Sequence, residues 1–204
     1  MYKTVASKAQ AEFTEKRSRF IGYTSPAETE DDALAFIKSV TESNRGAEHN
    51  VYAYSLRGAI RFNDDGEPQG TAGMPVLDVI QREGLTGVVI VVTRYFGGIL
   101  LGAGGLTRAY SRAAKDAINA AGIVTMTLHD VIQIICGYTH YKKICGIITA
   151  SGGVVSDTQF TDCVTINALI KAESSKELQN EVFDTTSGNA IIETLQKVYH
   201  GEKI

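Results

Sequence analysis

The chain has 204 residues, 44% of them hydrophobic and 21% charged, and its 20 Lys+Arg against 23 Asp+Glu give a formal net charge of −3. These values suit one large or two small globular domains and exclude wholesale disorder. They also exclude a protein that coats nucleic acid through bulk positive charge. Residues 1–129 carry 14 Lys+Arg and 14 Asp+Glu, whereas residues 130–204 carry 6 and 9, so an anionic partner is expected on the first part.

From Lys3 to Tyr23 the pattern alternates loosely, as in a pair of exposed strands, and Lys16-Arg-Ser-Arg19 reads as a solvated strand edge. Thr29 with Asp32 three residues on predicts a helix start, and Leu34, Phe36, Ile37 and Val40 give its apolar face before Asn44-Arg-Gly46. Strands are expected at His49–Leu56 and around Ile60–Phe62. Asn63–Pro75 holds three glycines and two prolines in thirteen residues, which forces a loop, with Pro75 in the first turn of a helix ending at Gly84. Gly87–Thr93 is apolar without alternation, as in a strand covered on both faces. Gly105–Ala121 is the strongest helix, rich in alanine and stopped by Gly122.

Ile123–His129 predicts a strand leading to a junction near Asp130. Beyond it a β-α-β-β-α-β series is expected: Val131–Cys136, Tyr141–Thr149, Gly153–Phe160, Cys163–Ala172, Ser175–Thr185 and Ala190–Thr194. That order is ferredoxin-like, with Thr161-Asp162 as a hairpin turn. The expected class is therefore α+β in two domains, 1–129 and 130–204. Cys136, Cys145 and Cys163 form no CxxC pair and read as buried reduced thiols. With no signal-like or membrane-spanning run, a cytoplasmic location and no membrane partner are expected.

The chemistry concentrates in two loops. Thr93–Lys115 holds Arg94, Arg108, Arg112 and Lys115 without an acid, and Gly97, Gly98, Gly102, Gly104 and Gly105 lie between the first two cations. A strand, a glycine loop and a helix start meet there, which collects free N–H groups and a positive helix end. An anion site is one reading; glycines that merely let the helix approach the sheet are the other. Arg108, Arg112 and Lys115 share a helix face by spacing. Tyr95 is a candidate for stacking on a base, and Arg19 and His49 are further candidates for the same site.

The second loop offers Asp64, Asp65, Glu67 and Thr71. Such carboxylates suit a hard cation, but aspartates bonded to nearby amides in a turn are the favoured reading, and the calcium-hand spacing is missing. No metal, cofactor or catalytic residue is assigned. Neither the Walker ending nor a nucleophile elbow nor a zinc-peptidase helix occurs.

Taken together, Asp64-Asp-Gly-Glu-Pro-Gln-Gly-Thr-Ala-Gly-Met-Pro75 and Val92-Thr-Arg-Tyr-Phe-Gly-Gly-Ile-Leu-Leu-Gly-Ala-Gly-Gly-Leu-Thr-Arg-Ala-Tyr110 resemble the signature of the YigZ/IMPACT family. Lys16–Phe20, His49 and Tyr138–Asp157 support the resemblance across the chain. It implies a first domain of the left-handed β-α-β kind seen in domain IV of elongation factor G, and a ferredoxin-like second domain similar to its domain V. It also implies a role in translation control, with RNA or ribosome-associated proteins as partners. Eukaryotic members restrain a starvation-responsive kinase and carry an RWD domain; no such domain is expected here, and the kinase role is therefore not expected to carry over. Two other readings stay open: an enzyme or binding protein for a phosphorylated small molecule or nucleotide, and a pure protein-interaction module.

Overall fold

A computed structural model describes residues 1–203, with side chains through residue 201. The chain divides into two compact units, Tyr2–Thr125 and Met126–Gly201.

The first unit is a five-stranded sheet with helices on both faces. It comprises β1 (Tyr2–Val5), β2 (Ala9–Glu15), β3 (Ser18–Pro26), α1 (Glu30–Ser43), β4 (His49–Ser55), β5 (Ile60–Asn63), α2 (Gly73–Arg82), β6 (Val88–Tyr95) and α3 (Ala103–Ala121). The sheet order is β2-β3-β6-β4-β5. β3 and β4 both pair antiparallel with β6, so they run parallel to each other with β6 between them, joined by the crossover helix α1. β1 lies outside this sheet, with Lys3 bridged to Leu85 and the Thr4 hydroxyl donating to Gly87 O at 2.8 Å.

The two faces explain the unbroken apolar run of β6. Val88, Ile90 and Val92 pack with Phe20, Val51, Tyr110 and the apolar faces of α2 and α3. Val89 turns to the other side, against Ala33 of α1, Tyr54 and Leu56. Alanines bring α3 close: a Cβ added to Gly22 would stand 2.2 Å from Ala113 O, so only glycine fits where helix and β3 touch. Thr29 and Asp32 form the expected reciprocal cap on α1.

Several expectations change. The N-terminal segment makes three strands rather than an exposed pair, and β3 is buried because it lies between β2 and β6. Lys16 and Arg17 are not an edge but the two-residue turn of the β2–β3 hairpin, at φ 45 and 66. Helix α3 begins two residues before Gly105.

The second unit follows the ferredoxin-like order. Its elements are β7 (Ile123–Cys136), α4 (Tyr138–Ala150), β8 (Val154–Phe160), β9 (Val164–Lys171), α5 (Ser175–Thr186) and β10 (Ile191–Lys203). β9 pairs with both β7 and β8, and β10 pairs with β7. The expected strands Ile123–His129 and Val131–Cys136 are one strand, since Asp130 is buried within it and paired with Lys197 at 3.4 Å. Its core joins Ile132, Ile134, Ile144, Ile148, Ile166, Ile170 and Leu178. All three cysteines are free, but only Cys136 is buried; Cys145 and Cys163 are half-buried. Among the described residues no helix is long and apolar enough to cross a membrane.

Candidate functional site

The acidic loop is held by its own aspartates. Asp64 Oδ1 accepts from the amides of Ala72 at 3.2 Å and Gly73 at 2.7 Å, and its Oδ2 from Gly70 at 2.9 Å, so it satisfies donors at the start of α2. Asp65 Oδ2 accepts from the Asn50 amide at 2.6 Å. The Thr71 hydroxyl donates to Pro68 O at 2.7 Å. Asp64 thus closes the loop and Asp65 ties it to β4, and among the described residues no three His, Cys, Asp or Glu gather to hold a metal ion.

Glu67 behaves differently, because the loop turns its side chain inward. Its Oε1 accepts from Arg94 Nη1 at 2.5 Å and from the Tyr110 hydroxyl at 2.7 Å. Burial, and after it the Glu67 hydrogen bond, pushes the Tyr110 hydroxyl far above its usual range, so it stays a donor. Arg94 also lies over the rings of Phe20 at 5.6 Å and Phe96 at 5.3 Å. The strand register sets His49 directly opposite Arg94. His49 Nδ1 stands 2.7 Å from Asp65 O and Nε2 3.9 Å from Glu67 Oε1.

Glu67, Arg94, Phe96 and His49 line a cavity of about 370 Å³ whose wall includes Pro68 of the acidic loop and Leu100 to Ala103 of the glycine loop. The two loops therefore share one cleft. A second groove, about 250 Å³, is lined by Phe13, Lys16, Leu101, Gly105, Arg108 and Arg112, with Glu15 its one acid. It joins the β2–β3 hairpin tip to the first turns of α3. A Cβ on Gly97 would stand 2.0 Å from the Arg17 carbonyl carbon, so glycine is what lets the loop after β6 reach that tip.

Of the four cations of the glycine stretch, only Arg108 and Arg112 share a groove. Arg94 is buried and neutralised by Glu67. Lys115 pairs with Glu83 at 2.6 Å. Arg112 lies 4.2 Å over the Phe13 ring and 3.5 Å from Asp116. Arg108 is exposed at the groove. Tyr95 donates to Asn44 at 3.0 Å with Arg19 over its ring at 5.8 Å, and Arg19 pairs with Glu12 at 2.5 Å, which raises its already high pKa. Gly98 and Gly102 adopt positive φ, and Gly102 precedes α3, whose first amides have no side-chain cap. Gly104 and Gly105 lie in that first turn.

Sequence reasoning weighed Phe96 only as a stacking or core aromatic and missed Glu48 and Phe13. Glu48 accepts from the Phe96 amide at 2.9 Å, which holds its carboxyl below the usual range. Nothing in spacing marks these residues, since strand pairing alone brings them in.

The two units thus define an α+β protein whose candidate sites both flank the start of one glycine-led helix. Residues 16–118 match the Impact N-terminal domain and residues 134–189 a domain of unknown function (DUF1949). The chain belongs to the IMPACT family. It is 32% identical over 201 residues to IMPACT family member YvyE of Bacillus subtilis, covering 97% of this chain and 93% of that protein. With IMPACT family member YigZ of Escherichia coli it shares 30% identity, over 85% of this chain and 88% of that one. A crystal structure described as that of a hypothetical protein superposes with a TM-score of 0.61 at 27% identity, covering 96% of this chain and 97% of the other.

Proposed function

We propose that this chain is a non-enzymatic regulator of translation that binds RNA through the groove between the β2–β3 hairpin tip and the start of α3. The observation that carries the reading is the convergence there of Lys16, Arg108 and Arg112, with Glu15 the one acid in the lining, Asp116 beside Arg112, and Arg17 exposed next to Lys16. Phosphate oxygens suit such a groove, because exposed cations release counterions when they meet a nucleic-acid backbone. Phe13, half-buried under the Arg112 guanidinium, supplies an aromatic floor. The family's association with translation points the same way.

Fluorescence anisotropy of a single-stranded RNA oligonucleotide across a salt series tests it. Affinity is expected to fall steeply with salt, and Lys16→Ala combined with Arg108→Ala to flatten the slope by roughly 0.7 for each phosphate that is no longer neutralised. Binding to ribosomal proteins but not RNA, insensitive to salt and to these changes, overturns the reading in favour of a protein-interaction module.

A further inference from the structure

Arg94 carries more donors than its partner takes. Its Nη1 donates to Glu67 at 2.5 Å and its side chain is 6% exposed, yet Nε has no hydrogen-bond partner among the described residues. A buried donor left open is costly, and a charged one more so. Nε and Nη2 together form the edge of a guanidinium that grips a carboxylate through two parallel N–H···O bonds. The contact with Glu67 runs through the third nitrogen, so that edge is left over.

Arg94 lines the 370 Å³ cleft together with Gly102 and Ala103. These two residues lead into the 19-residue helix α3, whose first amides have no side-chain cap. Leu106 N donates to Gly102 O at 2.9 Å, so the amides of Ala103, Gly104 and Gly105 come before the first bond of the helix. The helix dipole adds positive potential at the same place. Two unconnected sets of unmet donors, one on a side chain and one on backbone, thus border the same space.

The acids of the lining do not answer this demand. Glu67 Oε1 already holds Arg94 and the Tyr110 hydroxyl, and the charges of Glu67 and Arg94 cancel. Glu48 Oε2 holds the Phe96 amide, and Glu48 is exposed, where water and salt screen it. His49 turns Nδ1 to Asp65 O at 2.7 Å. What the cleft lacks is an acceptor, and a negative charge suits the helix end better than a neutral carbonyl does. With two carboxylates nearby, one negative charge is easier to hold than two. Pro68, Phe96, Leu100 and Leu106 complete the wall with hydrocarbon.

We infer that this cleft binds a small monocarboxylate with an apolar body, such as a branched aliphatic acid. Its carboxylate takes the Nε–Nη2 edge of Arg94 and the first amides of α3, and its hydrocarbon lies against Phe96 and Leu106. No bond is made or broken in this step. Of the residues that line the RNA groove only Leu101 also lines this cleft, so either site can work without the other.

Isothermal titration of the full chain with isocaproate, isocaproamide and isoamyl phosphate tests the inference. Isocaproate is expected to bind saturably, and the neutral amide and the phosphate at least tenfold more weakly. Arg94→Lys keeps a cation for Glu67 but has no Nε–Nη2 edge, and it is expected to weaken isocaproate at least tenfold. Should that variant fail to fold, Ala103→Pro decides, since it removes one amide at a helix position that tolerates proline. It is expected to weaken isocaproate at least tenfold as well. Absence of saturable isocaproate binding, amide or phosphate bound as tightly as isocaproate, or full isocaproate affinity in either folded variant overturns the inference.

Discussion

Arg94 Nη1 stands 2.5 Å from Glu67 Oε1, with 6% and 4% of the two side chains exposed, and this contact ties the acidic loop to the central strand. Removing one member of a buried pair strands the other charge in a medium that cannot solvate it. Arg94→Ala is therefore expected to lower unfolding free energy by about 3–5 kcal/mol. Urea denaturation measures it. A loss below about 1 kcal/mol, the range of an exposed pair, would show that water reaches Glu67 freely.

The approach of α3 to β3 gives a second prediction. In Gly22→Ala the new methyl would meet Ala113 O at 2.2 Å, and that atom is backbone, which cannot swing aside. Overpacking of this kind costs roughly 1–3 kcal/mol. Thermal unfolding of Gly22→Ala should show a clear drop in Tm. An unchanged Tm would mean that helix and sheet separate more easily than their packing implies.

Much of this architecture was legible in the sequence because it follows from local rules. Thr29 and Asp32 announced the α1 cap, the apolar run ending at Thr93 announced a doubly covered strand, and the order of elements after Asp130 announced the ferredoxin-like unit. The candidate site was legible only as a location. Spacing put Arg94 beside Arg108 in a basic set, but the partner of Arg94 lies 27 residues away on a loop, and pairing across that distance leaves no periodic trace. Glu67 looked like one of three equivalent loop carboxylates. What separates it from Asp64 and Asp65 is direction: Asp64 turns to amides of its own loop and Asp65 to the Asn50 amide on β4, whereas Glu67 turns to the core.

Tyr54 supplies a pH prediction. It is 2% exposed, and its hydroxyl donates to Glu30; burial first, and then that hydrogen bond, push its pKa up to about 12. The unfolded chain ionises near the ordinary value of about 10. Between the two values the folded state holds a proton that the unfolded state has lost, so stability falls as pH rises. The stabilisation is present below about pH 10 and gone above about pH 12. Urea midpoints for the parent chain and Tyr54→Phe, compared at pH 9 and 11.5, isolate this group from Tyr110, which both retain. The difference between the two proteins should shrink at the higher pH; a constant difference would show that Tyr54 does not hold its proton.

Lys115 separates a helix-face reading of the cations from the groove reading. Its ammonium lies 2.6 Å from Glu83, and both side chains are partly open to water. A pair of this kind contributes about 0–1 kcal/mol, so Lys115→Ala should unfold at nearly the parent temperature. Because Lys115 does not line the groove of Lys16, Arg108 and Arg112, RNA affinity and its salt slope should also be unchanged. Arg108→Ala, made in parallel, should lower both. If Lys115→Ala weakens RNA binding as much as Arg108→Ala does, the nucleic acid follows the length of α3 rather than its first turns, and the interface must be redrawn to include the α2–α3 side.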